Sequence, residues 1–385
     1  MTSLSDELSH PQALPGQDDD AGRAAGSRGR RWLFNRYSLV LFAGIALLGG
    51  GAAALNSLVD PLWFWQGNQI AGRNYIFNER IAKVNLVLQD PGVYDCLIFG
   101  SSRVTLLDQT AIEGHRCANL AFSAGKAVEF LAYARYLADR GLRPKLVIVG
   151  VDDFNFLDQP HQPVDIPDFV KNGEAPPGLL HSYLSLTALD FTQRTLRDES
   201  PLPRYYDEHF IGHILQDTPP FDPPEKLGTP HYEGNFLPAR ASLYRELRET
   251  FPEAAFWGFV PPISAWKVAE ARYLGGILDG YLEAIPETSK VFDVLYDFSA
   301  PTAVTRRVDN TYDGSHYSPE VYKVVVERLQ KASPEVPDDS FGLPVHAMSP
   351  QQYREAFLAR FDAFLAAEFP ELARTRLART QAANR

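Results

Sequence analysis

The chain has 385 residues, of which 45% are hydrophobic, and a formal net charge of −11. This length allows one large domain with additions or two smaller domains, and the hydrophobic share allows a sizeable buried core. Nucleic-acid binding relies on clustered positive charge, so the negative balance excludes it as the main activity. We therefore expect no nucleic-acid partner.

The N-terminal region predicts a membrane anchor. Residues 1–31 are polar and lack hydrophobic periodicity, which predicts a disordered tail. Residues 32–59 contain an uncharged run from Tyr37 to Val59, and at about 1.5 Å per residue this run crosses the roughly 30 Å hydrocarbon core of a bilayer. The alternative is a cleaved signal peptide, because Ala52-Ala53-Ala54 offers small residues at a cleavage site.

The charge around this run predicts its orientation. Arginines cluster directly before it, and such residues stay on the cytoplasmic side. We therefore predict a single-pass protein of the inner (cytoplasmic) membrane, with its N-terminus in the cytoplasm and its main domain in the periplasm. The membrane is the first partner that the sequence implies.

Beyond the anchor, residues 60–93 predict a stalk or lead-in segment, and from residue 94 strands and helices alternate. Strands that alternate with helices predict an α/β domain with a mostly parallel sheet and helices on both faces. We assign this domain to residues 94–335, and a C-terminal loop and packing helix to residues 336–385. The predicted strands are 95–99, 118–122, 145–151, 255–260 and 291–296, and the predicted helices are 126–140, 239–250, 264–284, 319–331 and 350–369.

Residues 152–238 interrupt this alternation with a segment rich in proline and aromatic residues. The segment leaves the carboxyl end of a predicted strand, where α/β sheets bind ligands, so it can act as a lid or a substrate platform. The other interpretation is an insertion with a small core of its own.

Cysteines and histidines complete the list of candidate ligands. Cys96 and Cys117 start two neighbouring predicted strands, so they are either bridged in an oxidising compartment or buried as free thiols. His209 and His213 are four residues apart, but the segment lacks a third metal ligand. We predict no metal and no cofactor.

Two short motifs contain the candidate catalytic residues. Gly100-Ser101-Ser102-Arg103 follows a buried apolar strand, and Asp313-Gly314-Ser315-His316 stands ahead of the last predicted helix of the domain. A serine hydroxyl becomes a nucleophile when a histidine takes its proton and a carboxylate orients that histidine. Ser102, His316 and Asp313 are the residue types that a serine acyl-transfer site needs.

These motifs resemble the SGNH, or GDSL-like, hydrolase and acyltransferase superfamily. The resemblance implies a three-layer sandwich in which Ser102 is the nucleophile, His316 the base and Asp313 the residue that orients it. Gly100, Ser101 and Arg103 then belong to the first motif, with Ser101 standing where the family usually has aspartate.

The resemblance also implies an oxyanion hole. In this family the backbone N–H groups of the nucleophile and of a second-motif glycine contribute to it, and here these are Ser102 and Gly125. The third motif departs from the pattern, because Asp152 stands where the family has an asparagine. An ionised carboxylate accepts hydrogen bonds and repels an oxyanion, so we consider Asn155 as a further donor.

We expect an extracytoplasmic serine esterase or O-acyltransferase whose substrate is an acylated cell-envelope glycan or an acylated small molecule. The alternative is a non-catalytic protein of the same fold that binds glycan or supports a complex of envelope proteins, and Asp152 favours it. A third candidate function is that of a lipase or thioesterase that acts on acyl chains.

Overall fold

In the computed structural model of this protein, the described residues are 20–75, 78–158, 164, 166–230, 235–333 and 341–383. The chain divides between Ala54 and Leu55 into two compact units. Helix α1 (Asp20–Val59) supplies the described part of the first unit and the first residues of the second. Most of the predicted disordered tail lies outside the described residues.

Helix α1 contains one stretch that is long and apolar enough to cross a membrane. This stretch is Phe34–Val59, with 26 residues and a mean hydropathy of 2.1. Its large side chains stay exposed, for example Leu47 at 78% and Phe42 at 68%, so a protein core does not account for their apolar character. One candidate single-pass anchor is therefore present where the sequence predicts it.

The second unit contains two sheets. The larger has the strand order β3-β2-β4-β7-β8-β9, in which β9 alone of these pairs antiparallel. The predicted α/β class with a mostly parallel sheet is confirmed. The described residues form the strands β1 (Arg73–Tyr75), β2 (Cys96–Phe99), β3 (Cys117–Asn119), β4 (Leu146–Gly150), β5 (Arg204–Asp207), β6 (Gly212–Ile214), β7 (Ala255–Val260), β8 (Val294–Asp297) and β9 (Leu343–Pro344).

Helices follow most of these strands; one predicted helix is broken, and one unpredicted helix follows the predicted helix 350–369. The predicted helix 264–284 is broken, because a π-helical turn, Val268–Leu274, and two glycines separate its halves. Pro370 ends one helix and opens another, since proline fits the first turn of a helix. The remaining helices are α2 (Glu79–Gln89), α3 (Ala127–Asp139), α4 (Asp168–Lys171), α5 (Leu179–Tyr183), α6 (Leu186–Leu196), α7 (Ser242–Thr250), α8 (Ala265–Lys267), α9 (Leu278–Ser289), α10 (Pro319–Lys331), α11 (Pro350–Glu368) and α12 (Pro370–Ala383).

Helices cover both faces of the large sheet. Side chains alternate along a strand, so β2 sends Leu97 and Phe99 to one face and Cys96 and Ile98 to the other. The first face packs against α3, α7, α9 and α11, and the second packs against α10. All four β2 side chains are fully buried, which explains why this strand is an uninterrupted apolar run.

The two cysteines form a disulfide. Cys96 and Cys117 face each other at the start of the parallel pair β2 and β3, and their sulfur atoms are bonded at 2.08 Å. Of the two states that the sequence left open, the structure has the bridged one.

The smaller sheet joins the lead-in segment to the insertion. Strand β1 comes from residues 60–93, and its antiparallel partners β5 and β6 come from residues 152–238. Tyr206 and Phe210 of the insertion are buried here at 3% exposure each, whereas Tyr183 is buried in a separate cluster with Leu62 and Ala188. The insertion therefore has a small core, and Trp63 of the lead-in segment shares it.

Candidate active site

Ser102 lies in the turn that follows β2, at the carboxyl edge of the large sheet. It opens a short 3₁₀ helix, Ser102–Val104, and Ser101 caps this helix by accepting the N–H of Arg103 on its Oγ at 3.2 Å. Gly100 fits this turn because a Cβ there would lie 2.5 Å from Val104. The turn is tight, and it leaves Ser102 half-buried at the sheet edge.

His316 connects Ser102 with Asp313. Its Nε2 lies 2.9 Å from Oγ of Ser102, and its Nδ1 lies 2.8 Å from Oδ2 of Asp313. An ionised carboxylate cannot donate, so we assign the proton to Nδ1, which donates it to Asp313. Nε2 then offers its lone pair to the Ser102 hydroxyl. The structure brings the three candidate catalytic residues together in that order.

Asp313 is held by its own turn. Its Oδ1 accepts the N–H groups of Ser315 at 2.8 Å and of His316 at 2.9 Å. Gly314 has φ +77°, and a Cβ there would lie 2.8 Å from Oγ of Ser264, so glycine suits this turn. Burial opposes ionisation, but the bonds from His316 and the turn N–H groups hold the pKa of Asp313 at about 2. Asp313 is therefore ionised at neutral pH.

Arg103 joins a buried charged cluster beside the serine. Its Nη1 lies 2.9 Å from Oδ1 of Asp152 and 3.4 Å from Oδ1 of Asp153, and Nε of Arg272 lies 2.8 Å from Oδ2 of Asp153. Burial raises the pKa of Asp152 despite its Arg103 partner. Burial acts the same way on Asp153, but Arg272 and Arg103 together hold its pKa at about 2. The two neighbouring carboxyl groups thus have opposite tendencies.

Two of the candidate oxyanion donors are backbone groups. Ser102 is the first residue of its 3₁₀ helix, so its N–H has no acceptor within that helix. Gly125 lies against the serine turn, since a Cβ there would be 2.8 Å from the carbonyl oxygen of Gly100. However, the Gly125 N–H donates to the Phe122 carbonyl at 3.0 Å. Ser102 N–H is the more available of the two.

Neither of the two candidate side chains for the oxyanion hole is free to donate: the Asn155 amide already has hydrogen-bond partners, and the Asp152 carboxylate has no N–H group. The amide of Asn155 accepts the N–H of Ala127 at 3.0 Å and donates to the Tyr244 hydroxyl at 3.0 Å. Asp152 is fully buried, and its Oδ2 has no hydrogen-bond partner in the part of the chain that the structure describes. Neither residue offers an amide donor toward Ser102 in this arrangement.

Arg204 enters the site from the insertion, and no sequence motif predicted it. This residue of β5 is 2% exposed, its Nη2 donates to Oγ of Ser123 at 2.8 Å, and its Nη1 lies 3.4 Å from the Ser102 carbonyl oxygen. Arg204 is positioned by the pairing of β5 with β6, in which it lies opposite Ile214. Arg204 supplies a positive charge and a support for the serine turn.

Tyr312 packs against the candidate base. Its ring is stacked on the His316 ring, with centroids 5.2 Å apart and planes 2° from parallel. The Thr311 hydroxyl also donates to the His316 carbonyl at 2.8 Å. These neighbours fix the orientation of the imidazole. Their position directly before Asp313 was the available sequence signal.

A second Asp–His pair lies in the insertion without a nucleophile beside it. Nε2 of His213 lies 2.8 Å from Oδ2 of Asp207, whose Oδ1 accepts the N–H groups of His209 and Ile211. Within the described ranges, histidine, cysteine, aspartate and glutamate side chains form no group of three suited to a metal ion. This pair serves below as a matched control.

No protein-family model matches this sequence, and no curated protein matches it. A function for this protein is therefore inferred from the residues and distances given above. The arrangement itself can generate a serine nucleophile, because a hydroxyl, an imidazole lone pair and an ionised carboxylate stand in hydrogen-bonding sequence.

Proposed function

We propose that this protein is a membrane-anchored serine esterase or O-acyltransferase of the SGNH type. One observation carries the proposal: Ser102, His316 and Asp313 form an unbroken hydrogen-bonded series with distances of 2.9 and 2.8 Å. Ser102 and His316 are 214 residues apart in the chain, so local sequence does not account for their meeting. The resemblance of the two motifs supports the same function.

In the proposed reaction, His316 Nε2 removes the Ser102 proton as Oγ attacks the carbonyl carbon of an ester. The tetrahedral intermediate collapses, the ester C–O bond breaks, and the protonated His316 returns the proton to the leaving alcohol. Water or a sugar hydroxyl then attacks the acyl-serine by the same route. Asp313 stabilises the imidazolium throughout, since its pKa of about 2 keeps it ionised.

The proposed setting is the periplasmic side of the inner membrane. The single apolar helix supports anchoring, and the Cys96–Cys117 disulfide fits an oxidising compartment. The proposed substrate, an acylated envelope glycan, follows from the motif resemblance and this setting. An acyl group is the part that Ser102 would receive.

A second candidate function is non-catalytic glycan binding or scaffolding. Two observations favour it: Asp152 is a carboxyl group where the family has an amide donor, and both sides of the Asn155 amide are engaged elsewhere. Loss of one oxyanion donor lowers turnover by about 100- to 1,000-fold in well-studied enzymes. The intact series at Ser102 favours the enzyme.

Fluorophosphonate labelling of the full chain tests the enzyme proposal. The probe reacts with activated serines, so we expect labelling of the wild type and none of Ser102→Ala or His316→Ala. His213→Ala is the matched control, because it removes a histidine with a similar aspartate bond but no serine. It should label as well as the wild type. All variants should keep the wild-type thermal midpoint.

The two candidate functions predict different results for fluorophosphonate labelling and for glycan binding. An unlabelled but folded wild type would overturn the enzyme proposal, as would labelling that survives in His316→Ala. The binding alternative then predicts that glycan retention is unchanged by Ser102→Ala and weakened by Tyr205→Ala. Tyr205 is a suitable choice because it is a partly exposed aromatic residue of the insertion.

A further inference from the structure

Three leucines of the insertion are strongly exposed. Leu180 is 71% exposed, Leu184 54% and Leu186 83%, and we call these three residues the leucine patch. Leu180 and Leu184 are four residues apart along α5, so they share one face of it, and Leu186 opens α6. Exposed apolar clusters of this kind mark sites of contact with a membrane or another protein.

The patch is tied to the end of the candidate membrane-spanning stretch. Nδ2 of Asn56, in the last turns of α1, donates to the carbonyl oxygen of Tyr183 at 2.8 Å. The Tyr183 hydroxyl donates in turn to Oδ1 of Asp60, directly after α1. All three residues are buried. Helix α5, which carries Leu180 and ends next to Leu184, is therefore fixed at the level where α1 ends.

Asp60 makes this junction rigid. Besides the Tyr183 hydroxyl, its carboxylate accepts the N–H groups of Phe64 at 2.7 Å, Trp65 at 2.8 Å and Gly67 at 2.8 Å. These bonds close the chain tightly around the end of α1. Residues 56–67 and α5 are thus held together within the second unit.

The surroundings of the patch fit a lipid surface. Leu58 of α1 is 48% exposed and lies about 3 Å along the helix axis from Asn56, so α1 also presents apolar surface at this level. In the middle of α6, Asp190 and Arg194 form an exposed ion pair at 2.9 Å, and Leu196 at the end of the helix is 41% exposed. The start of α6 is therefore apolar and its middle is charged, which suits a segment that meets a membrane interface at its start.

We propose that the leucine patch inserts into the leaflet at the carboxyl end of the α1 span. The second unit then contacts the bilayer surface through this patch. The occupant is lipid, since the apolar surface continues from a helix that is itself apolar and exposed. The inference is independent of the chemistry at Ser102.

Site-directed fluorescence on the full chain tests this proposal. Both native cysteines are in the disulfide, so one introduced cysteine is the only free thiol. Bimane is attached at Leu184→Cys or Leu180→Cys, and the protein is reconstituted in vesicles of phosphatidylethanolamine and phosphatidylglycerol. Emission is measured with brominated lipid and with aqueous iodide as quenchers. These positions are exposed, so the substitutions remove no core packing.

Two further positions complete the design. Val324→Cys, on α10 and 39% exposed, is the matched surface control, and Leu47→Cys reports whether the anchor has inserted. We expect brominated lipid to remove most of the emission at Leu47, Leu184 and Leu180, and iodide to remove it at Val324.

Any other pattern overturns the proposal. Iodide quenching at Leu184 and Leu180 as strong as at Val324 would show that the patch faces water. Protection from both quenchers would show that a protein, such as a second copy of this chain, covers it. Absence of lipid quenching at Leu47 would remove the anchor on which the proposal depends.

Discussion

Replacement of Asp313 by asparagine should abolish most of the activity while leaving the fold intact. Oδ1 of Asp313 accepts two N–H groups of its turn, and Oδ2 accepts Nδ1–H of His316. An asparagine has one acceptor oxygen, and the two turn N–H groups require it. The amide NH₂ must then face Nδ1 of His316. A donor at that place forces the proton onto Nε2, which can no longer accept the Ser102 proton.

The expected loss follows from this change of tautomer. Asparagine in place of the triad aspartate lowers turnover by about 10⁴-fold in the best-studied serine protease, which corresponds to about 5 kcal/mol at 1.36 kcal/mol per tenfold. Stability should change little, since the Asp313 side chain is 42% exposed and the turn keeps its acceptor. We expect a change of less than about 1 kcal/mol in the free energy of unfolding.

The assay is the rate of fluorophosphonate labelling, with hydrolysis of a chromogenic acetate ester as a second measure. Asp207→Asn is the matched control, because Asp207 accepts two turn N–H groups on Oδ1 and contacts a histidine through Oδ2, here at Nε2 of His213. It should keep the wild-type rate. A loss of less than about tenfold in Asp313→Asn would refute the assigned tautomer and its role.

Three further predictions concern stability. Replacing Cys96 and Cys117, which are 21 residues apart, with alanine should lower the free energy of unfolding by about 3 kcal/mol, and an unchanged urea midpoint would contradict this. Asp153 has its pKa lowered from 3.8 to about 2, so the roughly 2 kcal/mol it contributes above pH 4 is lost as the pH falls towards 2. Asp153→Asn should flatten that part of the acid titration, and a wild-type slope would argue against it. Arg272→Met removes a fully buried partner of Asp153 and should cost about 3–5 kcal/mol, against about 1 for the exposed pair broken in Arg240→Met.

The predictable parts of this structure come from short-range patterns. The apolar run at 96–99 and the helix at 319–331 follow from strand and helix periodicity, and both have nearly the predicted bounds. The Asp313 turn is also local, since only two residues separate Asp313 from His316. Burial and periodicity determine such features, so the sequence reveals them directly.

The unpredicted parts depend on contacts between distant segments. Arg272 is fully buried because Asp153 and Ser299 receive its guanidinium, and it lies in the π-helical turn that breaks the predicted helix. Arg204 lies opposite Ile214 in the β5–β6 pair, but its contact with Ser123 joins segments 81 residues apart. In both cases a buried ion or hydrogen bond overrides helix or loop propensity.

The distance along the chain between Ser102 and His316 has a consequence for biosynthesis. The serine is synthesised 214 residues before its base, and strands β4, β7 and β8 must assemble before the two meet. The hydroxyl of Tyr322, in α10, donates to the carbonyl of Arg103 and ties the serine turn to the helix that follows His316. A nascent or partly unfolded chain therefore carries an unactivated serine. Nucleophilic reactivity in this protein should report completed folding, and it should be the first property lost when the late strands detach.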